Sequence, residues 1–311
     1  MRACTRQPSP SSRCFWAPRL AIFLLGPGLI AAQDRAAAPL SPIDDAKLRH
    51  QFQAAAEAWI SDSSIPRGTS LLESWKTRKD SPTWSRPSPT PTGDKPAPQL
   101  APQDVYRRAA PATLILGHLY KCGKCAKWHP SLAGGVVIDP SGIAVTNYHV
   151  LKTARAEIFG AMRPDGEVFP VMEILAASEP DDLAVIRLRV PERQKPLPSI
   201  RLAPVNDPPG TDILVISHPD GRFFTCSDGM IARHFLAPDT KSARTHITAD
   251  YARGSSGCGV FNLRGELTAL VSSTQSIYYS EEKGVPQNLQ MVVKSTIPVG
   301  SLLKLLEIPP R

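Results

Sequence analysis

The sequence predicts an all-β fold behind a helical and proline-rich N-terminal third, and three observations carry that prediction. Val136-Val137-Ile138 and Ile143-Ala144-Val145-Thr146 are apolar runs joined by Asp139-Pro140-Ser141-Gly142, the pattern of a β-hairpin. Residues 260–271 repeat the pattern, with Asn262-Leu263-Arg264-Gly265-Glu266 as the break between two apolar runs. Asn288-Leu289-Gln290-Met291-Val292-Val293 then reads as a late strand.

Taken in order, the chain opens with Arg2, Arg6, Arg13 and Arg19 ahead of an apolar stretch at 20–32 that contains Gly26-Pro27-Gly28. That stretch is too short for a ~30 Å bilayer core and ends in small residues, so residues 1–32 read as a cleavable export signal. Within the helical segment 33–80, residues 41–59 place Leu48, Phe52, Ala55, Ala56 and Trp59 on one face, with Asp44 and Asp45 in the first turn. This is an amphipathic helix, expected to dock on the domain that follows; a pro-segment shielding the cleft is the alternative. Seven prolines between Pro82 and Pro102 make residues 81–103 an extended, semi-rigid tether. The remaining domain spans 104–311 and ends in a short apolar helix at 300–307. No room is expected after it for a further domain of about 80–100 residues.

Composition sets limits on function. Apolar residues at 42% and charged residues at 21% suit a globular chain with a substantial core. The formal net charge is +8, but residues 1–32 hold four Arg and no Asp or Glu, so the chain without them carries +4. No dense Lys/Arg stripe with interleaved aromatics is evident, which argues against nucleic acid as a partner. No stable membrane insertion is expected once the signal is cleaved, and the oligomeric state is not written in the sequence.

The chemistry is carried by three residues at strand ends. Thr146-Asn147-Tyr148-His149-Val150 follows the first hairpin, Asp181-Asp182 precedes Leu183-Ala184-Val185-Ile186, and Arg253-Gly254-Ser255-Ser256-Gly257-Cys258-Gly259 precedes the second hairpin. A serine hydroxyl is a weak nucleophile and needs a base to take its proton. His149 is that candidate base, and Asp182 would fix its tautomer and stabilise the imidazolium. The glycines around Ser256 allow a sharp turn in which backbone N–H groups converge on an oxyanion. Taken singly, each residue has a plainer reading: a packed histidine, a strand-capping aspartate, a flexible loop. Their order, His then Asp then Ser, is what joins them.

With Gly134-Gly135-Val136-Val137-Ile138 and Ser217-His218-Pro219-Asp220-Gly221, these motifs resemble the trypsin-like, chymotrypsin-clan peptidases of the Deg/HtrA type. The likeness covers about 104–305. It implies two packed six-stranded antiparallel β-barrels, a catalytic triad of His149, Asp182 and Ser256, and an oxyanion hole from the amides of Gly254, Ser255 and Ser256. It further implies polypeptide substrates; acyl-enzyme chemistry needs no cofactor, the signal points to a secreted or periplasmic location, and the length leaves no room for the PDZ domain usual in that type. Departures are specific. Ser255, Cys258 and Gly259 replace the Asn, second Gly and Pro usual around the nucleophile. Ser255 also stands where digestive relatives carry an Asp that pairs with a newly cut N-terminus, so activation of that kind is not expected. An α/β-hydrolase is excluded, because its elbow needs Gly at position 258 and its triad runs Ser, Asp, His. The rival within the same fold is an inactive member serving as a binding scaffold.

Two features remain open at this level. Asp250 lies six residues before Ser256, where Arg/Lys-cleaving trypsins hold the acidic base of their pocket; a surface aspartate is the competing reading. Cys122-Gly123-Lys124-Cys125 with His129 fails the haem pattern, and metal finds no second Cys-x-x-Cys, so for an exported chain a local Cys122–Cys125 disulfide is preferred over metal or free thiols. No metal is expected, and Cys226 and Cys258 are unassigned.

Overall fold

A computed structural model of the chain describes residues 41–78 and 98–307. The export signal at 1–32 and most of the tether at 81–103 lie outside the described residues.

Helix α1 (Asp45–Ala58) begins where Asp44 caps it, the carboxylate accepting the Lys47 N–H at 2.9 Å. Its spacing buries Leu48, Phe52 and Ala56 on one face. That face packs on the first barrel, where Gly160 leaves space: a Cβ there would stand 3.1 Å from Trp59 and 3.4 Å from Phe52. Truncating a side chain as buried as Phe52 costs about 3–5 kcal/mol, so α1 is an integral part of the folded unit. Helix α2 (Gly68–Thr77) packs beside it through Leu71 and Leu72, and α3 (Pro102–Ala109), with proline in its first turn, leads into the barrels.

Twelve antiparallel strands follow. The first six are β1 (Thr113–Lys121), β2 (Trp128–Asp139), β3 (Ile143–Thr146), β4 (Ile158–Met162), β5 (Val168–Ser178) and β6 (Leu183–Leu188), with the one-turn helix α4 (Tyr148–Leu151) after β3. They close a barrel in the order β1-β2-β3-β6-β5-β4. The second six are β7 (Asp212–Ser217), β8 (Thr225–Leu236), β9 (Ala243–Ile247), β10 (Gly259–Asn262), β11 (Leu267–Glu282) and β12 (Val285–Pro298). They close as β10-β11-β12-β9-β8-β7, and α5 (Val299–Glu307) packs below with Leu302, Leu305 and Leu306 buried. The all-β expectation and the two six-stranded barrels are therefore what the chain forms. Closure leaves neither barrel an open edge.

The first barrel is filled by large apolar side chains, among them Leu114, Leu116, Phe159, Met162 and Phe169. The second has a smaller core built on Ile213, Val215, Ile231, Val260 and Val271. Strands β11 and β12 run past the barrel as one long hairpin, exposing Ile277, Tyr278, Tyr279, Leu289 and Met291. The outer half of β11 has no strand signal as clear as the run at 288–293.

The barrels meet along a seam of small residues. Gly134 of β2 donates its N–H to the Ser256 carbonyl at 2.7 Å. A Cβ at Gly134 would overlap Cys258 Sγ and stand 2.9 Å from the Cys258 nitrogen. Cys258, fully buried, thus fills a space that a glycine on the facing strand leaves open. We expect Gly134→Ala to destabilise by about 1–3 kcal/mol through overpacking, lowering Tm by roughly 2–12 °C. Adding Cys258→Ala should recover part of the loss, since it removes the sulfur but not the backbone clash. Thermal unfolding of the single and double variants checks this; no recovery would mean that the thiol is not what crowds position 134.

Candidate active site

His149 lies on α4 directly beyond β3, and Asp182 in the turn between β5 and β6. The turn holds Asp182 at φ 59°, a left-handed conformation that aspartate tolerates better than most side chains. Its carboxylate accepts the backbone N–H of His149 at 3.0 Å. The His149 ring Nδ1 lies 3.0 and 2.9 Å from the two carboxylate oxygens. The Ser272 hydroxyl donates to Oδ2 at 3.1 Å, and Asn147 Nδ2 donates to the Asp182 carbonyl at 3.2 Å. With Nδ1 facing a carboxylate, the ring hydrogen belongs there, and Nε2 keeps the lone pair a base needs.

The second barrel also supports this turn. Ser242 Oγ and Arg244 Nη2 donate to the Pro180 carbonyl at 2.8 and 3.1 Å. Burial lowers the Arg244 pKa, opposed by the negative charges of Asp182 and Asp181.

Ser256 belongs to the loop entering β10. Its hydroxyl donates to the Ser272 carbonyl at 3.3 Å. Ser272, at the end of the apolar part of β11, therefore meets both the carboxylate and the serine through different atoms. Sequence reasoning did not single it out; the local signal is only a serine ending an apolar run. His149 and Ser256 line one cleft of about 480 Å³, with His118, Tyr120, Leu132 and Gly254 among its walls. The structure thus brings His149, Asp182 and Ser256 to one crevice between the barrels.

Gly254 has φ 94°, and a Cβ there would stand 2.8 Å from the His218 carbonyl, so only glycine fits. The assignment of Ser255 to an oxyanion hole is corrected. Its N–H donates to the Ala252 carbonyl at 3.1 Å, and the residue is wholly buried. Gly254 and Ser256 remain as the candidate donors. The Ser255 hydroxyl, in the interior, has no hydrogen-bond partner among the described residues.

Of the two readings of Asp250, the geometry fits the surface, hydrogen-bonding one. Its side chain is 90% exposed and forms an ion pair at 2.8 Å with Lys294, which is itself largely buried. Lys294 takes a second bond to the Tyr251 carbonyl, which anchors Asp250 at the surface. The Cys122 and Cys125 sulfurs are 3.6 Å apart in the structure, against ~2.05 Å for a bond, and all four described cysteines are free there. The Lys124 N–H, hydrogen-bonded to its sulfur, is the main reason the Cys122 thiol pKa is lowered. Burial pushes the Cys258 and Cys226 thiols up.

One further residue braces the site. His218, fully buried, donates Nε2–H to the Leu114 carbonyl at 3.0 Å and accepts the Phe224 N–H on Nδ1 at 3.1 Å. It ties the loop under Gly254 to β1 of the first barrel. Burial pulls its pKa from 6.5 to about 4.

Comparison with known proteins covers the region that carries these residues. The trypsin-like peptidase domain family matches residues 133–270, which include all three candidate residues. The serine endoprotease DegS of Escherichia coli (strain K12) is 27% identical over 217 residues, covering 65% of this chain and 56% of that protein. DegS of Salmonella typhimurium (strain 14028s / SGSC 2262) is 27% identical over 211 residues with the same coverage. The chain thus spans 56% of the length of the curated relatives it matches.

The depressed His218 pKa has a consequence for stability. The unfolded chain binds a proton near pH 6.5 and the folded chain only near 4, so stability is full above 6.5 and falls as pH drops through that window. One such group accounts for about 3 kcal/mol between those limits. We expect His218→Gln to reduce the stability difference between neutral pH and the acid end of the window, measured by denaturant unfolding. An unchanged difference would remove His218 from the acid response.

Proposed function

We propose that this chain, which is similar to trypsin-like peptidases and to the Deg-type serine endoproteases it matches, is an exported serine endopeptidase acting through Ser256, His149 and Asp182. The observation that carries the reading is the His149–Asp182 pair, Nδ1 within 3.0 Å of both carboxylate oxygens, opening on the cleft that Ser256 shares.

In the proposed mechanism, Ser256 Oγ leaves the Ser272 carbonyl and presents its proton to His149 Nε2 as it attacks a peptide carbonyl. A loose resting contact of this kind tightens in many enzymes only when substrate binds. The imidazolium that forms is balanced by Asp182, whose negative charge is shared with the His149 N–H and the Ser272 hydroxyl. The N–H groups of Gly254 and Ser256 receive the oxyanion. His149 then protonates the leaving amine, and water, activated by the same ring, releases the acyl group from Ser256. Polypeptides are the proposed substrates, and nothing in these steps calls for a cofactor. The basic apolar leader at 1–32 supports export to a periplasmic or extracellular space. No described helix is long and apolar enough to cross a membrane.

A fluorophosphonate probe should label the wild-type chain at Ser256 and leave Ser256→Ala unlabelled. A folded wild type that resists labelling would favour the inactive scaffold instead. Two graded variants test the supporting roles. Asp182→Asn should lower kcat by about 10⁴ through the wrong tautomer. Ser272→Ala removes one hydrogen bond to the carboxylate and should lower kcat by roughly 10-fold, with KM little changed. A Ser272→Ala enzyme of full kcat would show that its hydroxyl does not support the charge on Asp182.

A further inference from the structure

The loop closing β1 and β2 holds a cluster of side chains that peptide hydrolysis does not use. Cys122 Sγ and Cys125 Sγ are 3.6 Å apart, and Cys125 Sγ is 3.1 Å from His129 Nε2. All three atoms lie within 4.8 Å of one another. We propose that Cys122, Cys125 and His129 bind one divalent transition-metal ion of the zinc class, with a fourth position left to solvent or substrate.

Geometry favours this over the disulfide. A disulfide requires the sulfurs to close by about 1.5 Å from where they stand. Tetrahedral zinc, with Zn–S bonds of about 2.3 Å and Zn–N of about 2.1 Å, sets two sulfurs about 3.8 Å apart and a sulfur about 3.6 Å from a nitrogen. The observed separations are already near those of a tetrahedron's edges, and small side-chain rotations would complete the set. Two sulfurs and one imidazole suit zinc, cobalt or nickel far better than calcium or magnesium.

The backbone is arranged to hold the ligands. Gly123 adopts φ 77° with open space where a Cβ would stand, which turns the chain back on itself between the two cysteines. The Lys124 N–H donates to Cys122 Sγ at 3.4 Å, an amide-to-sulfur bond of the kind that orients metal thiolates. His129 is not in the loop but on β2, paired across the ladder with Tyr120. The ligands therefore come from both the loop and the strand that follows it.

The loop is also braced beside the ligands: Lys121 bonds the Ala126 carbonyl while stacking 4.0 Å from the Trp128 ring centre. Binding releases the two thiol protons to solvent, and two thiolates with a divalent ion and a neutral imidazole leave the site uncharged.

The site would also reach the cleft. Tyr120, Ser131 and Leu132, on the same two strands, line the space that holds Ser256 and His149. An ion joining loop to strand would fix the end of that wall, so metal loading and cleft shape are linked without the ion entering the hydrolytic steps.

The test uses the full chain purified under reducing conditions, with Co²⁺ as the spectroscopic probe and elemental analysis for zinc. We expect one metal per chain, sulfur-to-cobalt charge-transfer absorption, and intense visible bands of a tetrahedral ion. Cys125→Ser and His129→Gln should each weaken binding by at least about 100-fold, while Cys226→Ser leaves it unchanged. Circular dichroism checks that each variant is folded. Reduced, folded wild type that takes up no Co²⁺ would overturn the proposal. So would a Cys122–Cys125 disulfide found by mass analysis in chain prepared without reductant but with zinc present. These readouts do not depend on peptidase activity, so the metal site and the hydrolytic reading stand or fall separately.

Discussion

The candidate site depends on how closely two barrels can approach where each presents a glycine. A Cβ at Gly257, φ 81°, would overlap the Gly134 carbonyl and Thr146 Oγ1. Thr146 itself donates to that carbonyl at 2.8 Å, and Gly134 donates to Ser256. One short stretch of β2 is thus bonded on one side to the strand that ends before His149 and on the other to the Ser256 loop. The segments carrying His149 and Ser256 are tied to one another through Gly134, by the Thr146 hydroxyl on one side and a backbone bond on the other. This is the kind of support that catalysis needs, since misplacement by 1 Å can cost about 10²-fold.

The same logic extends outwards in both directions. On one flank the Asp182 turn is held by Ser242 and Arg244 from the opposite barrel. On the other, the loop under Gly254 is held by buried His218, and Asp220 N–H bonds the Arg253 carbonyl at 2.7 Å. Each side of the cleft therefore takes its shape from the barrel across the seam. A rigid-body shift between the barrels would disturb the carboxylate and the serine loop together.

How much of this was legible in the sequence follows from which interactions are local. The hairpin at 136–146 could be read because its apolar runs and its Pro-Ser-Gly turn are contiguous. His149 and Asp182 could be read because they abut such runs. Gly254 carried its own signal, since a Gly-Ser-Ser-Gly turn demands left-handed backbone. Ser272 could not be read: a serine at the end of an apolar run gains meaning only when β11 passes Asp182. Asp250 carried two readings because an offset of six residues fixes neither direction nor partner, and Lys294, its partner, lies 44 residues away. The Ser255 amide was misassigned for a related reason. Whether a peptide N–H faces the cleft or its own turn is decided by dihedral angles that residue type leaves open. The cysteine loop shows the same limit: spacing alone cannot weigh a second Cys pair against a histidine that a strand register brings into line.

The N-terminal helix shows how a segment outside the barrels enters the site's support. Sequence periodicity gives α1 an apolar face, and the barrel surface at Gly160 receives it, which accounts for docking and no more. The polar face adds something the periodicity does not express. Asp45 accepts the Phe223 N–H at 2.9 Å, and Arg49 lies over the Phe223 ring at 5.8 Å. Phe223 and Phe224 in turn pack edge-on against the His218 imidazole, with centroids 5.6 and 5.0 Å away. A continuous set of contacts therefore runs from the first turn of α1, through buried His218, to the carbonyl that excludes any side chain at Gly254. The helix supports the Gly254 loop from behind. A chain lacking it would lose the burial of Phe52 and the Asp45 bond to Phe223 at once.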